Sequence, residues 1–259
     1  MRDLLTGPVF PFFALTLGLC LGSFYNVCVH RYLTGQSVVW PASHCPSCGH
    51  VLSWWENIPV LSYVLLRARC RSCKGAIHWR YPAVEVLSGL LALLLALRFG
   101  PGLAWVSYMV FAGIFLVASF IDLDSFLLPD ILTYPAGLLA LATPFFLPVS
   151  WEETVLGSAV GAGSFLLLQQ TYLRVRKLDA LGTGDIKLMV SLGALVGLSN
   201  LPLMVLLSAL AGLVVSVAYL RRSSAQGLRT AIPFGPFLCL GALLTLLWGD
   251  QIMMAFLYF

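Results

Sequence analysis

The sequence has 259 residues, 59% of them hydrophobic and only 10% charged, with a formal net charge of +4. A mean hydropathy of +0.92 excludes a soluble globular domain and a disordered chain, and describes an all-α polytopic membrane protein. No basic helix or aromatic–basic platform occurs, so nucleic acid is not an expected partner.

Taken in order, the apolar runs predict eight transmembrane helices, since about 20 residues cross the hydrocarbon core. The first covers Val9–Val29 and has no small-residue cleavage site, so it is expected to stay as a membrane anchor. Asn26 and His30 near its end are expected to hydrogen-bond at the interface. Tyr32–Arg80 is the only long polar segment and is expected to form a small domain of strands and turns. The remaining spans are Pro82–Leu97, Leu103–Ile121, Ile131–Leu147, Thr154–Leu173, a short Ile186–Leu198, Leu201–Leu220 and Phe237–Leu257. This divides the chain into a first helix (1–31), an inserted polar domain (32–80) and a seven-helix membrane domain (81–259). Gly157, Gly161 and Gly163 mimic a phosphate loop, but no strand precedes them, so a helix-packing face is expected.

Loop charge orients these spans. Of the 15 lysines and arginines, 13 fall on the side of the cysteine-containing segment, and only Arg2 and Arg98 on the other. The positive-inside rule then makes that segment cytosolic and puts both termini outside.

Cys45-Pro-Ser-Cys48 and Cys70-Arg-Ser-Cys73 stand 21 residues apart. Two such pairs point to a four-thiolate zinc site, structural because its four ligands leave no open position. Gly49 and Gly75 are expected to supply the tight turns. A redox pair is the rival reading, but one pair suffices for that chemistry. His44, His50 and His78 lie close but are not needed as ligands. Cys20, Cys28 and Cys239 read as buried small hydrophobes within spans.

The acids cluster in two stretches. Phe120–Asp130 (FIDLDSFLLPD) closes the third span, and Ala180–Met189 (ALGTGDIKLM) opens the sixth. Asp122 and Asp185 land on one membrane face. Asp124, about 200° further round the helix, points away, and Asp130 reads as a helix N-cap. Two carboxylates held close suit acid–base activation of water. From the residues alone an equal alternative stands, in which Asp122 and Asp185 mark interfaces or pair with Lys187 and arginines. The helix dipole and Lys187 favour the anion on Asp185, leaving Asp122 as the acid.

GSFYNVCVHR, CPSCGH, WENIPVLSY, CRSCKGAIHWRYPAVE, IDLDSFLLPD, GTGDIKLM and IPFGPFL, in that order, resemble the type IV prepilin peptidases across nearly the whole chain. The resemblance implies a membrane aspartic protease fold distantly similar to presenilin, with Asp122 and Asp185 catalytic and Cys45, Cys48, Cys70 and Cys73 binding zinc. It further implies cleavage of basic leaders after a glycine, from prepilins of type IV pili and pseudopilins of type II secretion. N-methylation of the new N-terminal residue, usually Phe, with S-adenosylmethionine is implied too, at the cytosolic face of a bacterial inner membrane. The connection from Arg31 to Cys45 is shorter than in some members. No strand–glycine-loop–helix unit marks a methyl-donor site. A transporter with an acidic ion site and a zinc-domain adaptor are the other readings; the first should place acids at the midplane within paired repeats, and the second needs no paired acids.

Overall fold

The computed structural model describes residues 7, 9–177, 182–222 and 232–257. Arg2, Ala180, Leu181 and Arg229 lie outside these. The described helices are α1 Val9–Thr34, α2 Leu61–Leu65, α3 Arg80–Phe99, α4 Leu103–Ser125, α5 Asp130–Leu141, α6 Trp151–Arg176, α7 Thr183–Val196, α8 Leu201–Arg222 and α9 Gly235–Leu257, with 3-10 turns at Trp54–Asn57 and Thr143–Phe145.

A helix stands at each of the eight expected places. Among the described residues five are long and apolar enough to cross a membrane: α1, α3, α4, α8 and α9. The α6 helix is long, but Ser158, Ser164, Gln169, Gln170 and Thr171 interrupt its apolar character. With 14 residues, α7 rises about 21 Å, less than the roughly 30 Å of a hydrocarbon core. The α5 helix stops at Leu141 rather than Leu147, because Pro144 has no N–H to continue the helix hydrogen bonds, and a 3-10 turn follows instead. Conversely, α4 runs past Ile121 to Ser125, carrying Asp122 and Asp124 on regular helix.

The strands expected between Tyr32 and Arg80 do not form. Two isolated bridges, His44 with Val51 and Arg69 with Ala76, are all the pairing present among the described residues. Each Cys-x2-Cys turn reverses the chain within six residues, so only one pair of residues can face before the chain diverges. The remainder is the 3-10 turn, α2 and loops.

The chain divides into two compact units, Met1–Val117 and Ala118–Phe259. In the first, α1 lies against α3 along small residues. A Cβ on Gly18 would meet Ala92 Cβ at 2.5 Å, and one on Gly22 would meet the Glu85 backbone at 2.7 Å. Asn26 Nδ2 donates across this seam to the Tyr81 carbonyl at 2.9 Å. Trp105 Nε1 donates to the Ala92 carbonyl at 3.1 Å and ties α4 to α3.

The second unit is built around α7, which touches α5, α6, α8 and α9. Its residues from Ser191 to Val196 are all buried. Glycine makes this possible. A Cβ on Gly157 would stand 2.3 Å from the Gly193 carbonyl oxygen, and one on Gly193 2.3 Å from the Gly157 oxygen. The two backbones are in contact. Gly161 packs on Met189 and Leu201, whereas Gly163 meets nothing within 4 Å, so two of the three expected packing glycines serve that role.

Replacing Gly157 or Gly193 by Ala must part α6 and α7. We expect a loss of about 1–3 kcal/mol, read as a lowered thermal midpoint in detergent. Gly163→Ala should change stability by no more than about 0.5 kcal/mol.

Candidate active site and metal centre

Asp122 comes from the last turn of α4 and Asp185 from the first turn of α7. The two side chains are brought together in the second unit: they are 5% and 9% exposed, and each carboxylate lies within electrostatic reach of the other. Asp122 Oδ2 is fully enclosed and has no hydrogen-bond partner among the described residues. Asp124, two residues on, is exposed, as the helical offset requires.

Leu128, Gly184 and Gly235 shape this site. A Cβ on Gly184 would meet Leu128 Cβ at 2.8 Å; one on Gly235 would meet Asp122 Oδ2 at 2.7 Å and Leu128 at 3.2 Å. The Leu128 side chain is thus wedged against the starts of α7 and α9, beside the Asp122 carboxylate. Gly182, the residue before α7, leaves room 3.7 Å from Asp185 Oδ2. Neither Leu128 nor Gly235 is an ionisable residue, so a search for reactive groups passes over both. Buried Cys239 also feels both aspartates and bonds to Ser119. Cys20, by contrast, is exposed and Cys28 half-buried, so of these three only Cys239 is the buried hydrophobe expected.

Two expectations for the neighbouring charges are corrected. Asp130 is the first residue of α5, not its N-cap, which is Pro129. Its Oδ1 instead accepts from Lys187 Nζ at 2.6 Å, and that ammonium lies 4.9 Å from the Tyr134 ring centroid. Lys187 therefore serves Asp130 and Tyr134, not Asp185, and one support for placing the negative charge on Asp185 falls away. Among the described residues no cation pairs with Asp122 or Asp185.

Cys45, Cys48, Cys70 and Cys73 lie in the first unit with all four sulfurs within 4.8 Å of one another. Cys45 and Cys73 sulfurs are 3.9 Å apart, Cys48 and Cys70 sulfurs 4.0 Å. These are far beyond the ~2.05 Å of a disulfide and close to the edge of about 3.8 Å that a tetrahedron with 2.3 Å zinc–sulfur bonds would have. The four cysteines can hold a metal ion.

Both halves of the site share one local structure. The Cys45 N–H donates to the His50 carbonyl at 2.9 Å, and the Cys70 N–H to the Gly75 carbonyl at 2.8 Å. Gly49 and Lys74, each directly after its pair, take left-handed φ values of 70° and 61°. The second turn is therefore made by Lys74, not by Gly75 as expected. Gly75 is needed for space instead, since a Cβ there would lie 3.3 Å from Cys73 Sγ. The three histidines bind elsewhere: His44 to the Ala42 carbonyl, His50 to Glu56 and His78 to the Arg80 N–H. Glu56 also accepts the Ser53 N–H at 2.8 Å. That bond holds its carboxyl below the usual carboxylate range, with His50 adding to it against the opposite effect of burial.

Residues 16–99 match the bacterial peptidase A24 N-terminal domain, and residues 109–217 match the type IV leader peptidase family. A prepilin leader peptidase/N-methyltransferase of Pseudomonas putida is 37% identical over 262 residues, covering 92% of this chain and 91% of its own. The chain belongs to the type IV leader peptidase family. Another member, from Myxococcus xanthus, is 41% identical over 225 residues, 86% of this chain and 67% of its own. The Pseudomonas aeruginosa member is 37% identical over 269 residues, 95% and 92% respectively. No solved structure matches the chain.

Removing one thiolate leaves a three-ligand site, and metal binding in such small domains supplies much of their folding energy. Cys48→Ser and Cys73→Ser are expected to retain less than about half the wild-type metal, measured by elemental analysis of the purified protein.

Proposed function

We propose that this chain is a membrane aspartic endopeptidase that removes the basic leader from type IV prepilins and type II secretion pseudopilins after a glycine, and then N-methylates the new N-terminal residue, usually Phe, using S-adenosylmethionine. Membership of a family whose members are named for both activities supports the reaction. The observation that carries the chemistry is the buried pair Asp122 and Asp185, sensing one another's charge with no cation paired to either among the described residues.

Such a pair works by division of roles. One carboxylate takes a proton from water as the oxygen attacks the scissile carbonyl. The other donates a proton to the carbonyl oxygen as the tetrahedral intermediate forms. The site needs no metal at the aspartates. Cys45, Cys48, Cys70 and Cys73 would hold zinc as a structural ion, since four sulfur ligands leave it no open position. In this reading all eight long or apolar helices are embedded, with the cysteine segment inserted between the first two. That segment and the aspartates then lie on the cytosolic side of a bacterial inner membrane, a side that the distribution of basic loops supports. Residues 32–80 then act as one domain and 81–259 as the membrane domain.

The transporter reading is weaker, because both acids are at helix ends rather than mid-helix. An adaptor would have no use for two buried carboxylates without counter-ions, which are costly to keep.

Cleavage of a synthetic prepilin in detergent tests the proposal. Asp122→Asn and Asp185→Asn should each lower the rate by at least about 10²-fold, with normal membrane insertion. Wild-type rates in the Asp185→Asn enzyme would end the protease reading. Lys187→Ala removes only an exposed ion pair, of which most are worth under ~1 kcal/mol. Its rate should stay within a factor of about three, a difference of ~0.65 kcal/mol.

A further inference from the structure

The short helix α2 in the cysteine segment has its amphipathic faces inverted. Ser62 and Tyr63 turn inward and line, with Leu66, the cleft between this segment and the facing ends of α1 and α3. Leu61, Val64 and Leu65 are each more than half exposed. Their spacing of three and four residues puts them on one helical face. A surface helix in water shows the opposite order, with its apolar face turned in. A continuous exposed apolar face of this kind marks contact with a protein or a membrane.

The position of α2 decides between the two. Val60, the residue before it, is tied to α3, because its N–H donates to Glu85 Oε2 at 2.7 Å. Glu85 is buried and follows Arg80, the first residue of α3, by about 7.5 Å along the axis. Val60 has φ 60° and ψ −46°, a conformation that β-branched residues avoid. The backbone is therefore held at this point by its tie to Glu85 and not by its own preference. The tie keeps α2 level with the first turns of α3 instead of standing off beyond them.

Those turns belong to a helix long and apolar enough to cross a membrane. Its Val86, Leu87 and Leu90 are exposed, as side chains facing lipid would be. Trp79, directly before α3 and exposed, stands where an interfacial tryptophan belongs. The charge agrees. Arg67, Arg69, Arg71 and Lys74 follow α2 and are exposed, and no acid occurs between Glu56 and Glu85. An apolar helix face followed by a basic run suits a layer containing anionic phospholipid.

We propose that α2 is an interfacial helix, with Leu61, Val64 and Leu65 buried in the boundary between headgroups and acyl chains of an anionic phospholipid layer, and Arg67 and Arg69 on its phosphates. This rests on reading α3 as a membrane span. The insertion typical of such helices, about 5–10 Å, is the depth at which the tie to Glu85 holds Val60. The inverted faces follow from this placement: Leu61, Val64 and Leu65 meet lipid, while Ser62 and Tyr63 keep to the cleft. The cysteine segment is then not a polar domain standing clear of the bilayer between two spans, but rests on it through a third contact of its own.

Photo-crosslinking of the full-length protein tests this, in vesicles of phosphatidylcholine and phosphatidylglycerol. The photoreactive amino acid p-benzoylphenylalanine replaces Leu65, or Leu90 of α3 as the reference for a lipid-facing position, and adducts are identified by mass spectrometry. Phospholipid adducts at position 65 should form within about threefold of the yield at position 90. Their share of phosphatidylglycerol should exceed that at position 90 by at least about twofold, and Arg67→Gln with Arg69→Gln should remove the excess. Metal content of each variant reports whether the cysteine segment remains folded. A lower yield at position 65 would overturn the proposal, as would adducts there to a second copy of the chain or to added prepilin in place of lipid. Equal phosphatidylglycerol shares at the two positions would overturn the role given to Arg67 and Arg69. Failure of the membrane-span reading shows separately, as a lack of lipid adducts at position 90.

Discussion

Everything in the second unit depends on one backbone contact, that of Gly157 with Gly193. It lets a short helix, α7, sit among four neighbours with almost no side chain between it and α6. In a membrane protein the hydrophobic effect does little to join helices, so close backbone packing has to hold them. A helix enclosed on all sides need not match the bilayer's thickness, because protein rather than lipid satisfies its ends. That is how Asp185 comes to lie buried among neighbouring helices although its own helix has only 14 residues.

The aspartates are costly to keep there. Buried carboxylates without cations are unfavourable, and the nearest lysine in sequence, Lys187, is drawn outward to Asp130 and Tyr134. In the proposed reaction an ion pair at Asp185 would quench the charge that activates water. The arrangement therefore keeps attraction at the rim and repulsion at the centre. The cysteine segment follows another logic: two equivalent turns, each too short to build a sheet, are joined through four sulfurs.

The helices were legible because length and hydropathy report burial in a medium without water, and the two acids stood out against an apolar background. The offset of Asp124 followed from helical geometry alone, once α4 was found to continue through it. What could not be read was tertiary. Lys187 is two residues from Asp185 in sequence, but its partner Asp130 is 57 residues away. Gly18 and Gly22 carry the spacing of a packing face that the first span's polar residues overshadow. Leu128 and Gly235 lie within stretches that the sequence marks, but their fit against one another and against Asp122 is tertiary. Lys74 in a left-handed turn shows the converse, since the adjacent Gly75 made the obvious candidate.

The wedge at Leu128 ties together residues with no chemical relation. Gly184 and Gly235 belong to different helices, yet both have their free space taken by the same side chain. A methyl group added at Gly184 has to be matched by atoms removed at 128, and one added at Gly235 by room at both Leu128 and Asp122. The three positions therefore form one volume shared among distant parts of the chain. Over evolutionary time they can change only in concert: an enlargement at Gly184 has its natural suppressor at the leucine, whereas one at Gly235 also presses on the Asp122 carboxylate.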